Sequence, residues 1–100
     1  MQFKSERALN FLLTNGGVVT MRNYDYKVGR KVKINRKYNG WIIGKILNSR
    51  AIREECYDLS GFDTIEEWEQ EAIKLHGKLP KYIYIVVTDE EFRRSFGDLL

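Results

Sequence analysis

The chain has 100 residues, of which 43% are hydrophobic and 31% are charged, and its formal net charge at pH 7 is +3. This length predicts a single domain spanning residues 1–100, and this composition excludes a disordered tail. No apolar run approaches the roughly 20 residues of a membrane-spanning helix, and the first residues lack the apolar core of a signal peptide, so no membrane association is expected.

The net charge hides two stretches of opposite sign. Residues 22–53, here called the basic stretch, carry ten basic side chains and one acidic side chain. Residues 54–71, the acidic stretch, carry eight acidic side chains and no basic ones. A positive field as concentrated as that of the basic stretch attracts a polyanion and orients it during encounter. The charge pattern therefore favours a nucleic-acid partner, which the acidic stretch would confine to the other side of the molecule.

The first predicted elements are a helix and a strand. Ser5 is a suitable N-cap for a helix with one apolar face, and the Asn-Gly-Gly run at residues 15–17 ends it. The β-branched residues that follow predict a short strand over residues 18–22, and a loop over residues 23–29 comes next.

A cationic β-hairpin is predicted after this loop. Residues 30–36 alternate between apolar and basic side chains, as expected of a half-buried strand with a charged outer face. Asn39-Gly40 is a sequence typical of a two-residue hairpin turn. The return strand is predicted over residues 41–47 and onward toward Ile52, and Gly44 marks a bulge or a bend within it.

The second half of the chain predicts a helix, a strand and a further helix. Asp63 or Thr64 caps a helix that ends at Gly77, an apolar run predicts a strand over residues 81–88, and a short helix then continues to Phe96. The whole order, α-β-β-β-α-β-α, is typical of an α+β fold. Its antiparallel strands would form a small barrel or a rolled sheet, with helices packed on one side.

Several segments resemble a known family, the ASCH domain (activating-signal-cointegrator homology). Residues 61–68, which read G-F-D-T-I-E-E-W, are similar to the family's turn and helix start, G-F-D/S-S-x-E-E-W. Residues 20–22 resemble the T-x-R end of its first strand. Residues 26–34 resemble its Y-K-V-G-D-x-V-x-I segment, and residues 77–84 resemble its closing loop and strand. The order and spacing of these segments match the family over roughly residues 5–88.

The resemblance implies a PUA-like fold, which is a small, mostly antiparallel β-barrel with two to three flanking helices beside a cleft, and it implies RNA binding at that cleft. The family motif there, G-x-K-x-x-E-x-R, aligns with Asn15, Gly17, Thr20 and Arg22. Members that hydrolyse an acetylated cytidine carry a lysine where this chain has Gly17. The resemblance therefore argues against the enzymatic branch of the family, and no catalytic residue is predicted.

Arg22 and Thr20 are the candidate residues at the cleft. A guanidinium at a strand end can hold a phosphate or a base edge through paired donors, and the Thr20 hydroxyl can donate to the same anion. The alternative for Arg22 is a structural ion pair with the acidic stretch. The alternative for Thr20 is β-propensity alone.

Cations and tyrosines of the basic stretch complete the predicted nucleic-acid surface. Lysines on a strand are usually only solvated, but several cations along one track are what phosphate contacts need. Loop tyrosines can stack on unpaired bases, whereas Tyr26 and Trp41 are predicted to pack in the barrel. The predicted nucleic-acid-binding residues besides Thr20 and Arg22 are Tyr24, Arg30, Lys31, Lys33, Arg36, Lys37, Tyr38 and Lys45.

No cofactor or metal site is predicted. Cys56 is the single cysteine, so it cannot form an internal disulfide and favours a reducing, cytoplasmic location. Neither Cys56 nor the lone His76 has companions at the spacing of metal ligands. His76 suits the end of a helix as a cation.

The sequence thus favours an RNA-binding module with a positively charged cleft. Single-stranded or structured RNA is preferred to duplex DNA because no predicted helix is a basic recognition helix, although DNA remains an alternative ligand. Two alternatives also stay open: a small hydrolase acting on a modified nucleoside or on RNA, and an adaptor whose opposite charges pair with a partner protein or a second copy. The oligomeric state is not predicted.

Overall fold

The structure, a computed structural model, describes residues 1–97. Helices and strands follow one another in nearly the predicted order. They are helix α1 (Glu6–Asn15), strands β1 (Gly17–Arg22), β2 (Arg30–Ile34) and β3 (Tyr38–Leu47), helices α2 (Arg50–Cys56) and α3 (Ile65–His76), strand β4 (Tyr82–Thr88) and helix α4 (Asp89–Phe96). A 3-10 turn, Tyr57–Leu59, follows α2. The predicted fold class, α+β, is therefore confirmed.

The four strands form one antiparallel sheet in the order β1-β4-β3-β2. Its edge strands, β1 and β2, do not pair with each other within residues 1–97, so these strands do not close into a barrel. The first residues run between the two edges. Beside β2 the Asn35 backbone N–H donates to Met1 O at 3.0 Å, and at the end of β1 Arg22 Nη1 donates to Gln2 O at 2.5 Å. Residues 1–3 thus bridge the open side of the sheet.

The sheet's apolar residues position the end of β1. Val18, Val86 and Ile42 are register partners across β1, β4 and β3, and each is at most 2% exposed. Helix α1 packs on β1 and β4. Side chains alternate along a strand, so Thr20 and Arg22 lie on the same face of β1 as Val18. These three buried partners therefore fix the face of the sheet from which the Arg22 side chain projects.

Local signals set the helix ends where the sequence predicts them. Ser5 Oγ accepts from Ala8 N at 3.3 Å and caps α1, while Thr64 Oγ1 accepts from Glu67 N at 3.1 Å and caps α3. Gly77 ends α3 with a left-handed φ of 82°, a conformation that glycine adopts without strain. None of the helices in residues 1–97 combines the length and the apolar composition needed to cross a membrane.

The turn between β2 and β3 lies earlier in the chain than the predicted Asn39-Gly40. Asn35 and Arg36 form it with positive φ angles of 51° and 58°, which is the conformation of a type I′ turn. Gly40 lies inside β3, where a Cβ atom would come within 2.9 Å of the Val87 carbonyl oxygen. Close approach of β4, not a turn, therefore requires glycine at this position, and the turn prediction is wrong.

Strand β3 matches its prediction at the bulge but not at its end. A register shift between Ile42 and Gly44 confirms the bulge. The strand ends at Leu47 instead of continuing toward Ile52, because Ser49 Oγ accepts from Ile52 N at 3.3 Å and begins helix α2. Residues 1–97 therefore contain four α-helices where the resemblance implies two to three.

Candidate nucleic-acid interface

A cleft of about 270 Å³ opens beside the end of β1. Its walls come from the residues before α1, from β1, from the turn that precedes α3, and from α3 itself. Thr20 and Arg22 border the cleft on the β1 side, Phe3 borders it before α1, and Phe62 and Trp68 border it on the α3 side. Aromatic side chains therefore form much of the lining around a guanidinium and a hydroxyl.

The Arg22 guanidinium is half-buried and has no carboxylate partner within residues 1–97. Its Nε donates to Thr20 Oγ1 at 3.2 Å, its Nη1 donates to Gln2 O, and its central carbon lies 4.5 Å from the centre of the Phe3 ring. None of the ion pairs in that part of the chain includes Arg22. Burial lowers the pKa of Arg22, yet arginine stays protonated in proteins. The alternative prediction for Arg22, an ion pair with the acidic stretch, is therefore wrong within residues 1–97.

The acidic stretch is paired with other arginines. Arg7 of α1 lies 2.7 Å from Glu67, and Arg53 of α2, which is only 8% exposed, lies 2.8 Å from Glu69. Arg50 also contacts Glu69, at 3.1 Å. Arg50 and Arg53 end the basic stretch in sequence, but in space they belong to the acidic surface. Of the basic stretch, therefore, only the residues up to the end of β3 contribute to a cationic surface.

Further polar groups border the cleft beside Thr20. Lys4, Glu71 and His76 share its lining. Burial, followed by the charges of Arg22 and Lys4, lowers the pKa of His76, so the imidazole is neutral near pH 7. Thr20 is 7% exposed, and because its Oγ1 accepts from Arg22, its own proton can be donated to a ligand. The cleft thus combines a fixed cation, a hydroxyl donor and a neutral imidazole.

Two of the predicted cations lie next to the cleft. Lys33 and Arg36 border a shallow groove together with Gln2 and Asn35. Gln2 also borders the cleft and accepts a hydrogen bond from Arg22. The groove and the cleft therefore adjoin along residues 1–3, and Lys33, Arg36 and Arg22 form what we call the cationic track.

Three other predicted cations lie away from this track. Lys31 is the register partner of Trp41 on the side of the sheet that α4 covers. Lys37 lies in the β2–β3 turn with its Nζ 5.4 Å from the ring centre of Tyr38, which is half-buried. Arg30 is exposed at the start of β2. The predicted cations therefore do not share one face.

Lys45 and Tyr24 lie together on a separate patch. Lys45 Nζ forms an ion pair with Asp25 and lies 4.3 Å from the centre of the Tyr82 ring. Tyr24 is 69% exposed, and its ring centre lies 4.7 Å from that of Tyr26. Because Tyr26 also borders the cleft, the patch begins where the cleft ends.

Tyr26 and Trp41 both pack against other aromatic side chains, as predicted, but Trp41 packs against helix α4 and not inside a barrel. The Tyr26 ring meets Tyr84 edge-on at 5.5 Å between ring centres. Trp41 stacks on Phe92 of α4 at 4.1 Å, and its Nε1 donates to Asp89 Oδ1 at 2.9 Å. These two aromatic side chains therefore hold the structure together and are not free to stack on bases.

Sequence reasoning missed several cleft residues. His76 follows Ala72 and Trp68 at intervals of four residues on α3, so helical periodicity could have placed it on the face that borders the cleft. Gln2 and Phe3 carry no such signal, because they precede every predicted element and touch Arg22 only through the tertiary fold.

Comparison of the chain with protein-family models, with curated proteins and with solved structures finds no match in any of the three. The resemblance to the ASCH domain therefore stays a prediction that rests on the motifs. In the described part of the chain, no group of three or more His, Cys, Asp or Glu side chains could hold a metal ion.

Proposed function

We propose that this protein is an RNA-binding module whose cleft holds a phosphate or a base edge of the RNA at Arg22. The observation that carries the proposal is the Arg22 guanidinium, half-buried and fixed by Gln2 and Thr20, with no carboxylate partner within residues 1–97. Removing such a cation from water without a counter-ion opposes folding. An oxyanion of a ligand would supply the missing partner through paired hydrogen bonds, with the Thr20 hydroxyl as a further donor.

The cationic track offers the RNA backbone a path away from the cleft. Lys33 and Arg36 border the groove that adjoins the cleft along residues 1–3, and several cations near one path are what successive phosphates need. The longest helix, α3, carries glutamates at residues 66, 67, 69 and 71 and so offers no basic face for the groove of a duplex. Single-stranded or structured RNA is therefore favoured over duplex DNA.

The finer fold and the location belong to the same proposal: a PUA-like barrel of the ASCH type, in the cytoplasm. Residues 1–3 bridge the two edge strands, as closure of a barrel would need. Gly61, the first residue of the resembling motif, has a φ of 92°, and Trp68, its last residue, is 4% exposed, so both have structural reasons to be there. The single cysteine, Cys56, suits a reducing compartment.

Binding of labelled RNA across a salt series tests the proposal. The logarithm of the association constant should fall with that of the salt concentration with a slope of about −2, since single strands give about −0.7 per phosphate contact and the track has three cations. Arg22→Met should weaken binding about tenfold or more, because a charged hydrogen bond contributes about 1.5–3 kcal/mol. Arg7→Met removes an arginine that is already paired with Glu67 and is the matched control.

Two results would contradict this proposal. An affinity independent of salt would exclude phosphate contacts, and unchanged binding by Arg22→Met would exclude the cleft as the site. Sedimentation at low and high salt adds a third comparison. Salt-sensitive self-association without RNA affinity would support the charge-driven adaptor instead.

A second candidate, hydrolysis of a modified nucleoside or of RNA, is favoured by the groups around Thr20. Glu71 and His76 border the same cleft, and a neutral imidazole can accept a proton near pH 7. Incubation with modified nucleosides and with RNA tests this candidate. Turnover that Thr20→Val abolishes would establish an enzyme, and no turnover on any of these substrates would count against it.

A further inference from the structure

A cluster of four tyrosines adjoins the cleft. Tyr26 borders the cleft, and its ring centre lies 4.7 Å from that of Tyr24 and 5.5 Å from that of Tyr84. The ring of Tyr84 lies 6.0 Å from that of Tyr82, which is the β4 register partner of Arg22. The four rings are therefore contiguous, and the partly or fully exposed ones of Tyr24, Tyr26 and Tyr82 form an aromatic surface around the buried Tyr84, starting at the Arg22 end of β1.

Two lysines are held over this surface by Tyr82. Lys45 Nζ lies 4.3 Å and Lys81 Nζ lies 5.6 Å from the centre of the Tyr82 ring, which are distances of cation–π contacts. Such contacts position an ammonium group without neutralising its charge. Lys45 also forms an ion pair with Asp25, whose side chain is 68% exposed. The surface is therefore cationic as well as aromatic.

Tyr24 has an exposed ring on an anchored backbone. Tyr24 is 69% exposed. Its backbone is nevertheless held in place, because the Tyr84 hydroxyl donates to Tyr24 O at 2.6 Å and accepts from Tyr26 N at 2.8 Å. An aromatic ring that is already positioned loses little conformational entropy when it binds a ligand. Tyr24 is thus prepared for a contact that the fold itself does not use.

We infer that Tyr24 is a stacking platform for an unpaired base and that Lys45 and Lys81 bind phosphates beside it, so that single-stranded RNA continues from the cleft onto this surface. The inference rests on the proposed function, because it extends the same RNA beyond Arg22. Stacking needs a free aromatic face, and phosphates need positioned cations. The surface supplies a free aromatic face and positioned cations, and only the ring of Tyr26 separates Tyr24 from the cleft.

Asp25 is a competitor of the RNA in this arrangement. Its carboxylate pairs with Lys45 in the free protein, so a phosphate that binds Lys45 must replace it. Removing the carboxylate should therefore strengthen RNA binding. A purely structural Asp25–Lys45 pair predicts no such gain.

A length series of oligouridylates, beginning with the mononucleotide, separates the platform from the cleft. Tyr24→Ala should weaken the binding of the oligomers by roughly 5- to 150-fold, the range for one stacked base, and leave that of the mononucleotide unchanged. Tyr24→Phe keeps the aromatic face and should bind as the wild type. Leu59→Ala, at a residue that is 51% exposed on the 3-10 turn, is the control for an exposed apolar side chain.

The charged residues give an independent readout. Lys81→Ala should reduce the salt slope for the oligomers by about 0.7, the share of one phosphate contact on a single strand. Asp25→Asn should raise the affinity for the oligomers severalfold. Asp58→Asn changes the net charge equally at an exposed residue outside the surface, and it should leave the affinity unchanged.

The failures of the two proposals are distinguishable. If Tyr24→Ala binds the oligomers as tightly as the wild type, or if an abasic strand of equal length binds as tightly as the oligouridylate, the platform is overturned and the Arg22 cleft stands. If the mononucleotide, the oligomers and the labelled RNA of the salt series all fail to bind, the proposed function itself is overturned. If Tyr24→Ala abolishes self-association without changing RNA affinity, the surface belongs to a protein partner and the platform is overturned.

Discussion

Two arginines of this protein are buried to different extents and with different partners. Arg53 is 8% exposed and lies 2.8 Å from the carboxylate of Glu69. Arg22 is half-buried over Phe3, and its hydrogen bonds go to a backbone carbonyl and to a hydroxyl. Replacing Arg53 removes the more buried of the two arginines that pair with Glu69, whereas replacing Arg22 leaves no unpaired carboxylate behind within residues 1–97. Arg53 therefore serves the fold, and Arg22 is available to a ligand.

We expect Arg53→Met to lower the free energy of unfolding by about 1–3 kcal/mol, because Glu69 keeps Arg50 but loses its buried partner, and Asn48 Oδ1 loses a charged donor. Arg22→Met should leave the free energy of unfolding unchanged or raise it by about 1 kcal/mol, because an apolar side chain replaces a desolvated charge. Urea unfolding of both variants measures the difference. Equal losses in the two variants would show that Arg22 is also kept for stability.

Among the elements, helix α4 is attached to the sheet chiefly through one tryptophan. Trp41 stacks on Phe92 and donates to Asp89, and no residue of α4 is buried. The hydrogen bond from Trp41, followed by the charges of Arg93 and Lys31, holds the pKa of Asp89 below its ordinary value. An ionised Asp89 therefore strengthens an attachment that also includes the stacking of Trp41 on Phe92.

A pKa that is lower in the folded than in the unfolded protein fixes the direction of the pH dependence. Asp89 stabilises the folded state above its unfolded pKa of about 4, and this stabilisation is lost as the pH falls through the lower, folded pKa. We expect α4 to detach from β3 in that acid range while the core stays folded. The indole N–H resonance of Trp41 should then change before that of the buried Trp68, and a simultaneous change would contradict separate detachment.

The close approach of the β4 backbone to β3 excludes a side chain at Gly40. A Cβ atom there would lie 2.9 Å from the Val87 carbonyl oxygen, which cannot move without disturbing the sheet. Gly40→Ala should therefore lower the free energy of unfolding by about 1–3 kcal/mol. Gly97→Ala, where no atom of the described residues 1–97 lies within 4 Å of the added carbon, should be neutral. Thermal unfolding of both variants checks the contrast, and equal stability would exclude the close approach.

Elements with local signals can be predicted from the sequence. Ser5 and Thr64 cap helices through hydrogen bonds that span three residues, so a short window contains all the information. Asn39-Gly40 misleads because a glycine also suits a site where neighbouring groups approach the backbone closely, and here those groups come from Ile34 of β2 and Val87 of distant β4. Helix α2 escapes prediction because its Ser49 cap follows directly on a β-rich run.

At the scale of the whole molecule, the fold redistributes the charges of the two stretches. Arg7, Arg50 and Arg53 neutralise part of the acidic stretch, so the positive field comes from β2, its turn and the cleft. Lys33 and Arg36 contribute to this field from the groove that adjoins the cleft, at the rim of the proposed binding site. Charges at the rim of a binding site mainly accelerate association.

Reversing both rim charges, Lys33→Glu with Arg36→Glu, should slow the association of RNA about tenfold at low salt, with the difference disappearing at high salt. The matched control reverses Arg93 and Arg94 of α4, which are 73% and 70% exposed and change the net charge equally. Stopped-flow measurement of the association rate compares the two variants. Equal slowing would mean that net charge alone, not the track, attracts the RNA.

The candidate site can be predicted in part. The motif resemblance selects Arg22 and Thr20, and the structure places both at one cleft. What surrounds Arg22 could not be predicted, because Gln2 is twenty positions away along the chain and meets it only after β1 and β2 are bridged. The dispersal of the cations was equally inaccessible, since only the tertiary fold shows that α4 packs on Trp41, the register partner of Lys31.

The hydroxyl of Tyr84 ties the Tyr24 loop to the interior of the sheet. Its single oxygen serves a carbonyl and an N–H of that loop, while the residue itself is fully buried. A phenylalanine there would preserve the packed volume but release the loop, so Tyr24 would sample many orientations before meeting a base. Recognition would then weaken through the entropy of ordering alone, with every protein–RNA contact chemically unchanged. Affinity for a single strand would thus depend on an atom that the strand never touches.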